Sequence, residues 1–173
     1  MAEVAWLYAQ IALLRKGPQD LPASALLLTL TVIAYLAINA VMSVVLPGQD
    51  LPWPAILITS TVFTLVWYAV LLRLARRPER TLQTTTAIFG YRTVLAPLTL
   101  ANVWVFKRFS ADPAMWPVPV IVLYLLIGVW IISVNSHVLK AAVEWATGYC
   151  VALVLLETFV TLLVLTPFAP QSP

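Results

Sequence analysis

Four stretches of this chain are apolar for twenty or more residues at a time: Leu21–Leu46, Pro54–Leu74, Pro117–Leu139 and Val143–Leu165. Each reaches the ~20 residues that a helix needs to cross a ~30 Å hydrocarbon layer. Lipid offers no partner to a backbone amide, so such runs must satisfy their hydrogen bonds internally, as helices. The fold class expected is therefore all-α, a polytopic bundle in a membrane. Composition agrees: 62% of the 173 residues are hydrophobic and 10% charged, whereas a soluble domain is roughly a quarter charged. The first run follows Arg15 and Lys16 as a signal peptide would, but it outlasts a ~7–15-residue signal core and reads as an anchor.

Residues 1–20 precede the spans. Val4, Leu7, Ile11 and Leu14 recur at helical spacing, beside Trp6 and Tyr8, before Gly17-Pro18 breaks the pattern. The reading is a short amphipathic helix lying on the membrane surface. Residues 21–166 then form one transmembrane domain, and 167–173 a tail. No Gly or Pro separates Asn135 from Glu144, so charge alone places a turn at His137–Ala142.

One further stretch, TTTAIFGYRTVLAPLTLANVWVFKR (Thr84–Arg108), decides between four spans and five. Five spans with a cytoplasmic N-terminus and an outer C-terminus put Arg15, Lys16, Arg73, Arg76, Arg77, Arg80 and Lys140 inside, against Lys107 and Arg108 outside. Four spans put all but Lys140 inside, which the positive-inside rule prefers. Length and apolarity prefer five, because Ala87–Phe106 would otherwise expose a large apolar surface to water. Five spans are taken, at about 21–46, 54–74, 87–106, 117–139 and 143–165, with a re-entrant segment as the competitor. Pro97 should kink the third. Arg92, five residues from the inner end at ~8 Å depth, should snorkel back to the inner interface.

The basic RPERTLQ, then TTTAIFG, Gly90-Tyr91, Pro97 and Trp104, resemble the third span of Yip1-family membrane proteins, and the resemblance extends over roughly Leu21–Leu165. It implies five closely spaced helices and a role in membrane organisation or trafficking. The N-terminal segment is short, so the Rab-contacting role of eukaryotic members is not implied. Compact loops and an Arg-rich inner loop suggest a bacterial inner membrane.

Polar groups inside the membrane are the functional candidates. Glu157, in VALVLLETFVTLLVL, must be protonated or strongly hydrogen-bonded. Arg92 is the obvious partner, yet on these span limits Glu157 lies ~18 Å from the inner face, about 10 Å beyond Arg92, and the depths argue against a direct pair. Asn39, Thr61, Thr64 and Tyr124 are level with Glu157 when counted from the outer ends, so these five are expected to form an interior cluster. It would serve either as interhelical packing or as a protonatable site on a transport path.

At the inner face Arg73, Arg76, Arg77, Arg80 and Lys140 would attract anionic headgroups or simply set topology. Ten Lys/Arg spread among apolar spans do not read as a nucleic-acid surface. No metalloprotease, phosphate-loop, paired-acid or nucleophile motif is present in the sequence, so no enzyme, metal or cofactor is expected. Two functions stay open. One is a membrane-organising scaffold or accessory subunit that works through lipid, other membrane proteins or self-association; the other is a small transporter or channel subunit that uses Glu157.

Overall fold

A computed structural model describes residues 2–45, 52–110 and 118–168. The expected span limits at Leu46 and Pro117 and most of the 167–173 tail lie outside the described residues. Six α-helices appear there: α1 (Ala2–Ala12), α2 (Ala25–Val45), α3 (Trp53–Leu74), α4 (Thr81–Ser110), α5 (Val118–Val143) and α6 (Thr147–Leu165). α2, α3, α5 and α6 are each long and apolar enough to cross a membrane. Their outward faces carry Leu26, Ile33, Val66, Leu126 and Phe159 exposed, as lipid-facing surfaces would.

α4 is the longest helix and continues through Pro97 without doubling back. It packs against α1, α2, α3 and α5. Thr84 to Tyr91 are all buried, which explains why its first half can be rich in threonine: its neighbours are helices, not lipid. Gln83 beside Leu21 and Phe89 beside Tyr35 show α2 and α4 running in parallel.

Two tight connections gather at one end of the bundle. α3 closes with Arg76 in the left-handed region (φ 58°), Arg77 N–H bonding Leu72 O and Arg76 N–H bonding Arg73 O. This paired pattern commonly ends a helix at glycine. α5 ends likewise at Glu144 (φ 61°), whose N–H bonds Lys140 O. The turn thus lies at residues 144–146, not at His137–Ala142, and α5 runs through the region expected to turn. Glutamate occupies the position where glycine would have signalled the stop.

Arg80 clasps the two connections together. Its Nη1 donates to Ala141 O (2.9 Å) and Ala142 O (3.0 Å), two carbonyls left open at the end of α5. Its Nη2 and Arg77 Nη2 each lie 2.7 Å from Glu144. Arg77 and Arg80 are therefore committed to protein contacts, while Arg73, Arg76 and Lys140 are exposed.

The N-terminal helix spends its apolar face on protein. Ile11 and Ala12 are buried, and Tyr8 packs on Gly90 while its hydroxyl lies 2.6 Å from Thr31 Oγ1. Trp130 Nε1 donates to Ala12 O, His137 Nε2 meets Lys16 O, and Gln83 Nε2 donates to Leu21 O. α4 and α5 so hold the backbone of the segment from Ala12 to Leu21, and α1, which periodicity assigned to the membrane surface, packs on the bundle through Tyr8, Ile11 and Ala12. Trp130, deep in its helix, has its partner here, and Trp67 packs on Phe63.

Candidate functional site

Arg92 and Glu157 form an ion pair in the interior, Nη2 to Oε1 at 3.3 Å. The carboxylate is also held by Tyr68, whose hydroxyl donates to Oε2 at 2.6 Å. Arg92 Nη1 donates to Thr64 Oγ1 at 3.3 Å. Next to the pair, the Tyr91 hydroxyl donates to Asn135 Oδ1 and ties α4 to α5. Three helices, α3, α4 and α6, thus converge on one charged pair, and α5 is tied in beside it.

Span limits explain why the depth estimate separated these residues. α4 begins at Thr81, six residues before the expected start, so Arg92 is eleven residues in, or ~16 Å. α6 begins at Thr147, four residues later than expected, so Glu157 is ten residues in, or ~15 Å. The separation of about 10 Å disappears. Arg92 has no need to snorkel, because its counter-charge is level with it.

Above the pair lies a cavity of about 370 Å³ that is not sealed. All five long helices contribute to it. Tyr35 and Asn39 come from α2, Ser60 and Thr64 from α3, and Tyr91, Arg92, Leu95, Ala96 and Thr99 from α4. Ile131 and Asn135 come from α5, and Glu157, Thr158, Thr161 and Leu162 from α6. On every helix but α5 the residues beyond the pair lie further from the two clasped turns, so the cavity extends towards the opposite end of the bundle. The Glu157 side chain is 4% exposed and that of Arg92 24%; the guanidinium is the charged group that the space can reach.

Of the cluster expected from sequence, Glu157, Thr64 and Asn39 line the cavity. Thr61 is buried but gives its hydroxyl to Leu57 O and is not part of the lining. Tyr124 is 46% exposed and does not line the cavity either. The α5–α6 turn sets the register here: residues equally far from it lie level, which pairs Glu157 with the Asn135 region and leaves Tyr124 about ten residues, or ~15 Å, further along. Counting from the outer ends concealed this. Tyr68 and Asn135 are the functional candidates that the sequence reading missed; their signal was the spacing from the two clasped turns. No family model, curated protein or solved structure matches the chain.

Within the wall, most hydroxyls donate to their own helix. Ser60, Thr99, Thr158 and Thr161 bond Leu57 O, Ala96 O, Val154 O and Glu157 O respectively. A hydroxyl that donates in this way still offers acceptor lone pairs to the open space. The site therefore combines one accessible cation, one carboxylate that can take up a proton, and a ring of acceptors.

Proposed function

We propose that this chain is a small transporter or channel subunit that admits a polar solute into an intramembrane cavity floored by Arg92 and Glu157. The cavity carries this reading. Its volume is within the ~300–1,000 Å³ of small-molecule sites, and charged residues at mid-membrane depth mark ion and substrate paths. A scaffold working through helix and lipid contacts needs neither.

In this reading α4 is a fifth span, shielded from lipid along its polar half. The end carrying Arg15, Lys16, Arg73, Arg76, Arg77, Arg80 and Lys140 faces the cytoplasm, and the cavity extends towards the outer side. Arg73, Arg76 and Lys140 are the basic residues left for anionic headgroups.

Purified protein in liposomes tests the proposal. Small polar solutes should enter faster than into protein-free vesicles, and Glu157→Gln should change the rate. Background flux for every solute tried would overturn the reading, and equal flux in both proteins would remove Glu157 from the mechanism.

A further inference from the structure

Only one of the two charges in the cavity can change. Arginine stays protonated in proteins, whereas a carboxylate can accept a proton. The remaining lining residues carry no formal charge, and the titratable groups facing Glu157 are Arg92 and Tyr91 from α4, Tyr68 from α3 and Tyr35 from α2. Asn135 on α5 is neutral. Protonation of Glu157 would thus leave the Arg92 guanidinium without its counter-charge in a poorly solvated space, and a single negative charge restores neutrality.

Resting on the transport reading, we infer that the solute is a small hydroxylated monocarboxylate, bound together with one proton. The exchange involves no covalent chemistry. A proton from solution adds to Glu157 Oε1; the Arg92 Nη2–Oε1 contact is lost, and the guanidinium takes the solute carboxylate in its place. Tyr68 keeps its hold on Oε2, so the neutral acid stays positioned. Above the guanidinium, the acceptor lone pairs of Ser60, Thr99 and Thr161 suit a solute body that donates hydroxyl hydrogens. A dianion would leave the site one charge short of neutrality. A zwitterion could divide the pair without any proton, so the two classes are separable by experiment.

The measurement is calorimetric titration of the detergent-solubilised full chain with lactate, glycerate and gluconate, in buffers of different ionisation enthalpy, with glycerol and glycine as comparators. At least one of the three anions should bind with about one proton taken up. Its affinity should rise as pH falls, with a limiting slope of one proton per bound anion. Glu157→Gln, which mimics the protonated acid, should still bind that anion, with no proton uptake and no pH slope. If that variant does not fold, the wild-type proton count and slope decide alone. Failure of all three anions to bind, binding without proton uptake, or uptake unchanged in Glu157→Gln would overturn the inference. Entry of glycerol or glycine into liposomes in that event would leave the transport reading standing, whereas absence of any flux would remove both.

Discussion

The Arg92 guanidinium and the Glu157 carboxylate meet at 3.3 Å between α4 and α6, with Tyr68 securing the second carboxylate oxygen. Removing one partner strands the other. Glu157→Leu should destabilise the protein in detergent by about 3 kcal/mol, the low end for a broken buried pair because Arg92 still reaches the cavity. Arg92→Leu combined with Glu157→Leu should recover most of that loss. Thermal unfolding of the two single variants and the double variant measures the coupling, and additive effects would show that the pair contributes nothing to the fold.

Tyr8 and Gly90 make the second contact on which the architecture depends. A Cβ at position 90 would fall 2.3 Å from Tyr8 Cδ1, while the Tyr8 hydroxyl is fixed on Thr31. Gly90→Ala should therefore displace α1 and cost about 1–3 kcal/mol, as overpacking does. Amide exchange over residues 2–12 should quicken in the variant, and unchanged protection would mean that α1 is not held by this contact.

The Arg77–Glu144–Arg80 clasp should respond to acid. Hydrogen bonding from Arg80, with the nearby charges of Arg77 and Arg80, holds the Glu144 carboxyl below the ordinary glutamate range. A carboxyl whose folded value is depressed contributes stability that is complete above its unfolded value and is lost as pH falls through the folded one. The melting-temperature difference between wild type and Glu144→Gln should then be constant near neutrality, begin to shrink as pH falls through the ordinary glutamate range, and vanish only once pH is below the depressed folded value. Glu144 is exposed, so the difference should be small. A difference that persisted in strong acid would point to a role other than charge.

Much of this fold was legible in the sequence, because hydropathy alone marks α2, α3, α5 and α6. Helix ends were not. Leu14, Arg76 and Glu144 take left-handed conformations at positions usually signalled by glycine, and α4 begins six residues early in a threonine-rich stretch that hydropathy reads as loop. Those end errors moved Arg92 and Glu157 to different depths and hid their pairing. The docking of α1 was hidden for another reason: an apolar helical face looks the same whether it covers lipid or protein, and only Gly90 marks the place where a neighbour comes close.

Topology reporters fused after Arg80, Ser110, Trp145 and Pro173 test whether α4 crosses. Five spans predict Arg80 and Trp145 inside, with Ser110 and Pro173 outside. An inside signal at Ser110 would return α4 to the cytoplasmic face and remove the outer opening of the cavity.

Access of water to that cavity is the most direct test of the proposed function. In a Cys150→Ala background, Thr99→Cys and Thr161→Cys stand in the wall, while Leu155→Cys faces outward at a position 49% exposed on α6. A charged, membrane-impermeant thiol reagent added outside intact cells should modify the two wall cysteines and spare the lipid-facing one. Protection of both wall positions, at the level seen for Leu155→Cys, would contradict an open path to Arg92 and Glu157.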